Sequence, residues 1–132
     1  MGKRADKAFE YFKEGCNCAQ AVFMAYADKY GIDRETAMKI SSSFGGGMGR
    51  MREVCGAFSG MLLVNGMEMG TADSKNREAK VKNYKIVQEL RDEFVKENGA
   101  LYCRDLLGAN KRPCVEIVRS AVEILEEKFP DE

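Results

Sequence analysis

Cys18, Cys55, Cys103 and Cys114 are spread over most of the chain, and each falls at or near the start of an apparent helix. The chain has no histidine. A serine or cysteine hydrolase with a histidine base is thereby excluded, and any chemistry must be carried by sulfur. Two of the cysteines repeat one local design: Cys55 follows Arg50 and Arg52, and Cys114 follows Lys111 and Arg112. Cations in a first helical turn oppose the helix dipole, which favours negative charge there. The repeated breach is explained if the cations stabilise a thiolate, so Cys55 and Cys114 are expected to titrate below the ordinary thiol value of about 8.5.

The spacing excludes several familiar sulfur sites. Paired C-x-x-C motifs of zinc-finger type are absent, as are a C-x-x-C-H haem attachment site and a thioredoxin-type C-x-x-C. Any one cysteine taken alone reads as a small buried hydrophobe. Taken together, four thiolates make a complete ligand set for zinc or an iron–sulfur cluster. A domain of this length has a radius of gyration of only about 14 Å, so the four helix starts can meet at one end of a bundle. Arg50, Arg52, Arg104, Lys111 and Arg112 are placed in sequence to offset the charge of such a set. The fifth cysteine, Cys16, forms a C-x-C pair with Cys18.

Two other features compete for attention. Gly45, Gly46, Gly47 and Gly49 either form an anion-binding nest of amides or a tight turn between buried helices. The stretch lacks the G-K-S/T ending of a phosphate loop and the preceding strand of a dinucleotide fingerprint. The methionines, among them Met48, Met51, Met61, Met67 and Met69, read as core filling rather than copper ligands.

The elements that must position the sulfurs are helices, because apolar residues recur at helical spacing and no segment alternates as a strand would. The spacing predicts an all-α, single-domain bundle of about five to six helices over residues 1–132. A first helix covers about Lys3 to Glu14, with Ala5, Ala8, Phe9 and Phe12 inward. A second runs from Asn17 to Tyr30 and is apolar nearly all round. A third starts at Asp33 and ends near Ser43, burying Ala37, Ile40 and Phe44. The fourth, about Glu53 to Asn65, carries Gly56 and Gly60 one turn apart, a spacing that lets a neighbouring backbone approach closely. The fifth, about Ser74 to Glu97, turns Tyr84, Val87, Leu90 and Phe94 inward. A short turn near Cys103 to Leu107 precedes a last helix from Pro113 to about Phe129.

Net charge is zero, from 21 basic and 21 acidic side chains. That balance gives no electrostatic footprint for nucleic acid or an anionic membrane. With no apolar run of spanning or signal-peptide length, a cytoplasmic location is expected. Several cysteines in a reducing compartment point to metal binding or redox cycling rather than structural disulfides.

The segment NCAQAV, the stretch GGGMGRMREVCGAFSG and the two later cysteines together resemble the C-GCAxxG-C-C family of redox-active proteins, small single-domain proteins with four characteristic cysteines and a CGAxxG motif. The resemblance is carried most specifically by Cys55-Gly56-Ala57-Phe58-Ser59-Gly60, and Cys16 falls outside its pattern. It implies an electron-transfer or thiol-redox role. The leading expectation is that Cys18, Cys55, Cys103 and Cys114 bind an iron–sulfur cluster or another thiophilic metal. The alternatives are a metal-free thiol–disulfide protein acting through Cys55 or Cys114, and a structural zinc protein serving as an interaction module. A redox partner protein is expected, and the apolar second and fourth helices allow a homodimer.

Overall fold

The computed structural model describes residues 2–108 and 112–131. Among these the fold is all-α, with seven helices: α1 (Lys3–Lys13), α2 (Cys18–Ala27), α3 (Arg34–Ser41), α4 (Gly56–Met69), α5 (Arg77–Asn98), the single turn α6 (Cys103–Leu106) and α7 (Cys114–Lys128). Short 3-10 turns at Asp28–Tyr30 and Ser42–Phe44 extend α2 and α3. One isolated antiparallel bridge, Val54 to Tyr102, interrupts the helical pattern. No helix among the described residues is long and apolar enough to cross a membrane.

Helix α2 is the centre of the bundle. Its sequence CAQAVFMAYA is apolar on nearly every side, and every residue from Ala21 to Ala27 is buried. It packs against α1, α3, α4 and α7, so its apolar surface is spent inside the chain. Helix α4 lies closest. A side chain at Gly60 would come within 2.8 Å of Val22 Cβ and 2.9 Å of the Ala19 carbonyl, and one at Gly56 within 2.9 Å of the Phe44 carbonyl. The two glycines therefore set the distance between α2 and α4, as their spacing predicts.

Arg4 ties the first helix to the centre and to the end of the chain. Its guanidinium donates to the Ala25 carbonyl at 2.7 Å and pairs with Asp28 and Asp131, both at 2.9 Å. It also lies over the Tyr26 ring, 4.7 Å from the centroid. Glu126 of α7 accepts from the Arg4 N–H at 3.0 Å, satisfying a donor that the start of α1 leaves open.

Inward expectations fail in α3 and its following turn and in α5. Ile40 is exposed and Phe44 only half-buried, because α3 stops at Ser41 and the chain turns away through Ser42–Phe44. Tyr84 is 60 % exposed, and Val81 beside it 63 %. Helix α5 has 22 residues against 14 in α4 and 15 in α7. At 1.5 Å per residue it spans about 33 Å and outruns both neighbours, so only its later stripe of Leu90 and Phe94 is fully buried.

The glycines of α4 give opposite expectations for one substitution. Gly60→Ala should destabilise by roughly 1–3 kcal/mol through overpacking against Val22 and Ala19. At Gly66 nothing lies within 4 Å of the added methyl, so Gly66→Ala should stabilise by up to about 1 kcal/mol through helix propensity. Thermal unfolding of the two variants beside the parent checks both signs.

Candidate redox site

Each of the four sulfurs is delivered by the beginning of a different helix. Cys18 is the first residue of α2, fixed there by a capping box. The Asn17 side chain accepts from the Gln20 N–H, and the Gln20 side chain accepts from the Asn17 N–H, both at 2.9 Å. Asn17 also donates to the Ser42 carbonyl at 3.0 Å, tying the start of α2 to the loop ahead of α4. Cys55 is the N-cap of α4, Cys103 opens α6, and Cys114 opens α7 directly after Pro113.

The backbone bridge brings Cys55 and Cys103 together. The Cys55 N–H donates to the Leu101 carbonyl at 3.0 Å, and the Cys103 N–H donates to the Glu53 carbonyl at 2.7 Å, on either side of the Val54–Tyr102 pair. Residues following the two members of an antiparallel pair point to the same face as diagonal neighbours, about 7–8 Å apart. The glycine loop closes over them: a side chain at Gly47 would come within 2.7 Å of Cys103 Cβ. On the other side, the Cys18 and Cys114 thiols are hydrogen-bonded to one another, and Cys18 also senses Cys55 and Cys103. Cys55 and Cys103 are buried, whereas Cys18 and Cys114 are half-buried. The latter two line an open cleft of about 560 Å³ with Cys16, Phe12 and Arg50. Cys16 thus sits on the rim, its sulfur 4.0 Å from that of Met24.

The four thiols gather in one region without forming a closed cage. Among the described residues, no three cysteine or carboxylate side chains stand close enough together to hold a single metal ion.

The expectation of an acidic Cys55 is corrected. Burial pushes its pKa up to about 11, overcoming the Ala57 and Phe58 amides at the start of α4, which act the other way. No cation is among the groups that move it most. Arg52 turns its guanidinium to Cys103 instead, 3.5 Å from the sulfur. Arg104 bonds the Arg52 carbonyl at 3.1 Å, pairs with Glu53 at 3.7 Å and stacks on Tyr102. Arg112 donates to the Glu97 carbonyl at 2.6 Å and faces Glu116. Lys111 lies outside the described residues. Cys18 is raised well above the ordinary thiol range by its hydrogen bond to Cys114, by burial and by the adjacent sulfurs. Burial also raises Cys16.

The glycine loop is a tight turn. The amides of Gly49 and Arg50 donate back to the Gly45 carbonyl, those of Arg52 and Glu53 to Gly46 and Gly47. Gly46, Gly47 and Gly49 take left-handed backbone conformations, and so do the non-glycine residues Met48, Arg50 and Arg52, with φ of 64°, 67° and 60°. Sequence reasoning missed this strain and the bridge. A faint signal for the bridge exists in the repeated pattern of a strand-favouring residue directly before a cysteine, Val54-Cys55 and Tyr102-Cys103.

A pH dependence follows from Cys55. Its folded pKa lies above the unfolded value, so the stability it contributes is fully present below about pH 9 and is lost as pH rises through about 11. The loss should be roughly 3 kcal/mol in metal-free protein. Denaturant unfolding from pH 8 to 11 should show a steeper decline for the parent than for Cys55→Ser, and parallel curves would refute the assignment.

A family model described as "Putative redox-active protein (C_GCAxxG_C_C)" matches residues 16–128. An uncharacterized protein of Archaeoglobus fulgidus is 27 % identical over 146 residues, covering 98 % of this chain and 95 % of that protein. No solved structure matches the chain. The family match takes in all four sulfurs that the helix starts deliver, together with the glycine loop and the Gly56–Gly60 approach, and the chain belongs to the C_GCAxxG_C_C family.

Proposed function

We propose that the protein carries electrons through an iron–sulfur cluster held by Cys18, Cys55, Cys103 and Cys114. The observation behind this reading is that the starts of four separate helices bring four thiols into mutual electrostatic contact, so that Cys18 senses Cys114, Cys55 and Cys103. A dithiol protein needs two cysteines; a four-thiolate ligand set accounts for all four. Cys18 and Cys114, in contact with one another, and Cys55 and Cys103, held by the Val54–Tyr102 bridge, would together hold the cluster.

When bound, such a cluster supplies reversible electron transfer. The chain's own residues do the rest. Cys55 and Cys103 are buried and exclude water from one side, while the cleft at Cys18 and Cys114 leaves the other side open to a partner. Loading must remove protons from thiols that burial keeps neutral, so it should release protons and grow stronger with pH. A redox partner protein and a cytoplasmic setting belong to the same proposal.

The hydrogen bond between Cys18 and Cys114 favours a second reading, in which these two thiols cycle with a disulfide and no metal is held.

Protein prepared without oxygen, with iron and sulfide in excess, should carry stoichiometric iron and acid-labile sulfide. Serine at Cys18, Cys55, Cys103 or Cys114 should each remove most of the iron and lower the melting temperature, because the cluster contributes folding free energy. Cys16→Ser should change neither. Wild-type protein lacking iron and sulfide would overturn the cluster reading. The second reading then requires that Cys18→Ser and Cys114→Ser, but neither Cys55→Ser nor Cys103→Ser, abolish the oxidised intramolecular disulfide.

A further inference from the structure

Arg52 combines features with no structural explanation of their own. It is a non-glycine residue in the left-handed region, with φ of 60°, a conformation unfavourable for any side chain with a Cβ. It is exposed, yet among the described residues it makes no ion pair with a carboxylate; its guanidinium partner is the Cys103 sulfur, at 3.5 Å. Neighbouring groups enforce this placement. Arg104 holds the Arg52 carbonyl, and the Arg52 N–H donates to the Gly46 carbonyl at 3.3 Å. Gly47 has no Cβ to spare: one would come within 2.9 Å of Arg52 Cα and 2.7 Å of Cys103 Cβ. The loop is thus shaped to lay one cation on one sulfur.

We propose that Arg52 is a positioning residue for the redox site, orienting the Cys103 sulfur as a ligand and raising the reduction potential of the bound cluster. The inference rests on the cluster reading. An electron added to the cluster adds negative charge, and an N–H donor with a full positive charge on a ligand sulfur favours that reduced state. The strained backbone is the counterpart of this function: folding alone gains nothing from arginine where glycine fits without strain.

The test uses wild type, Arg52→Lys and Arg52→Gly, each loaded with iron and sulfide. Arg52→Gly should shift the reduction potential downward by an amount equivalent to about tenfold in the equilibrium constant, about 59 mV for one electron. It should also lose iron faster to a chelator. Arg52→Lys keeps the charge but not the planar donor, and should fall between the two. In metal-free protein Arg52→Gly should melt at the same temperature as wild type or a few degrees higher, since it relieves the left-handed strain. Equal potentials and equal iron retention across the loaded proteins would overturn the proposal while leaving the cluster reading intact. A clearly lower melting temperature for metal-free Arg52→Gly would also overturn it, by making Arg52 a residue of the fold. If wild type takes up no iron or sulfide, the cluster reading fails and the proposal fails with it.

Discussion

The close approach of α2 and α4 is the constraint on which the site depends. Gly56 lies against the Phe44 carbonyl and Gly60 against Ala19 and Val22, at separations that admit no side chain on either glycine. An added Cβ at Gly56 would lie 3.4 Å from Cys18 Cβ, so the glycine that follows Cys55 in sequence is also the contact that seats Cys18 beside it. Two helix starts are aligned by a packing requirement of the core. Cys103 is fixed against Cys55 by the backbone hydrogen bonds of the Val54–Tyr102 bridge, while Pro113 and the Arg112 side chain, donating to the Glu97 carbonyl, fix the start of α7. Cys55 and Cys103 are thereby placed by backbone pairing, and Cys18 and Cys114 by side-chain bonds at the starts of their helices.

That placement brings two electrostatic effects into opposition. Helix N-termini favour negative charge, and a thiolate at the first turn gains from it. Burial favours the neutral thiol, and so does every neighbouring sulfur, because two thiolates side by side repel. At Cys55 burial wins over the Ala57 and Phe58 amides, and at Cys18 the hydrogen bond to Cys114 adds to it. In the metal-free protein Cys18 and Cys55 are therefore held toward the neutral thiol. In the proposed cluster-bound form, loading and deprotonation would be one event, favoured by the helix starts that do not ionise these two thiols by themselves.

Much of this was legible in the sequence, for reasons that differ from residue to residue. Helix starts follow from local rules: Asn17 with Gln20 is a capping box readable at three-residue spacing, and Pro113 marks the beginning of α7. The order of the four cysteines and the Gly56–Gly60 pair were equally visible. What stayed hidden depends on long-range contacts. Nothing near Arg52 in sequence says that its side chain passes Cys55, three residues on, and reaches Cys103, because that choice is made by a left-handed backbone in a loop folded onto α6. The rise in the Cys55 pKa is hidden for the same reason, since burial is a property of the assembled core. Tyr84 failed because the length of α5 relative to its neighbours, rather than its periodicity, decides which turns are covered.

Of the cations that the sequence gathers around the cysteines, the four among the described residues divide once the chain is folded, and the division gives the site two sides. Arg104 and Arg112 are drawn off to Glu53, Tyr102, Glu97 and Glu116, and so serve the framework. Arg52 caps the buried side at Cys103, and Arg50 stands at the open cleft with Cys18 and Cys114. Both of these arginines lie in left-handed backbone, as does Met48 between the loop glycines. A loop that needed only to connect α3 to α4 would place glycine at such positions, as it does at Gly46, Gly47 and Gly49. Met48 shows that left-handed backbone alone does not mark a residue at the sulfurs; what distinguishes Arg52 is its guanidinium on the Cys103 sulfur, and Arg50 its place in the cleft beside Cys18 and Cys114.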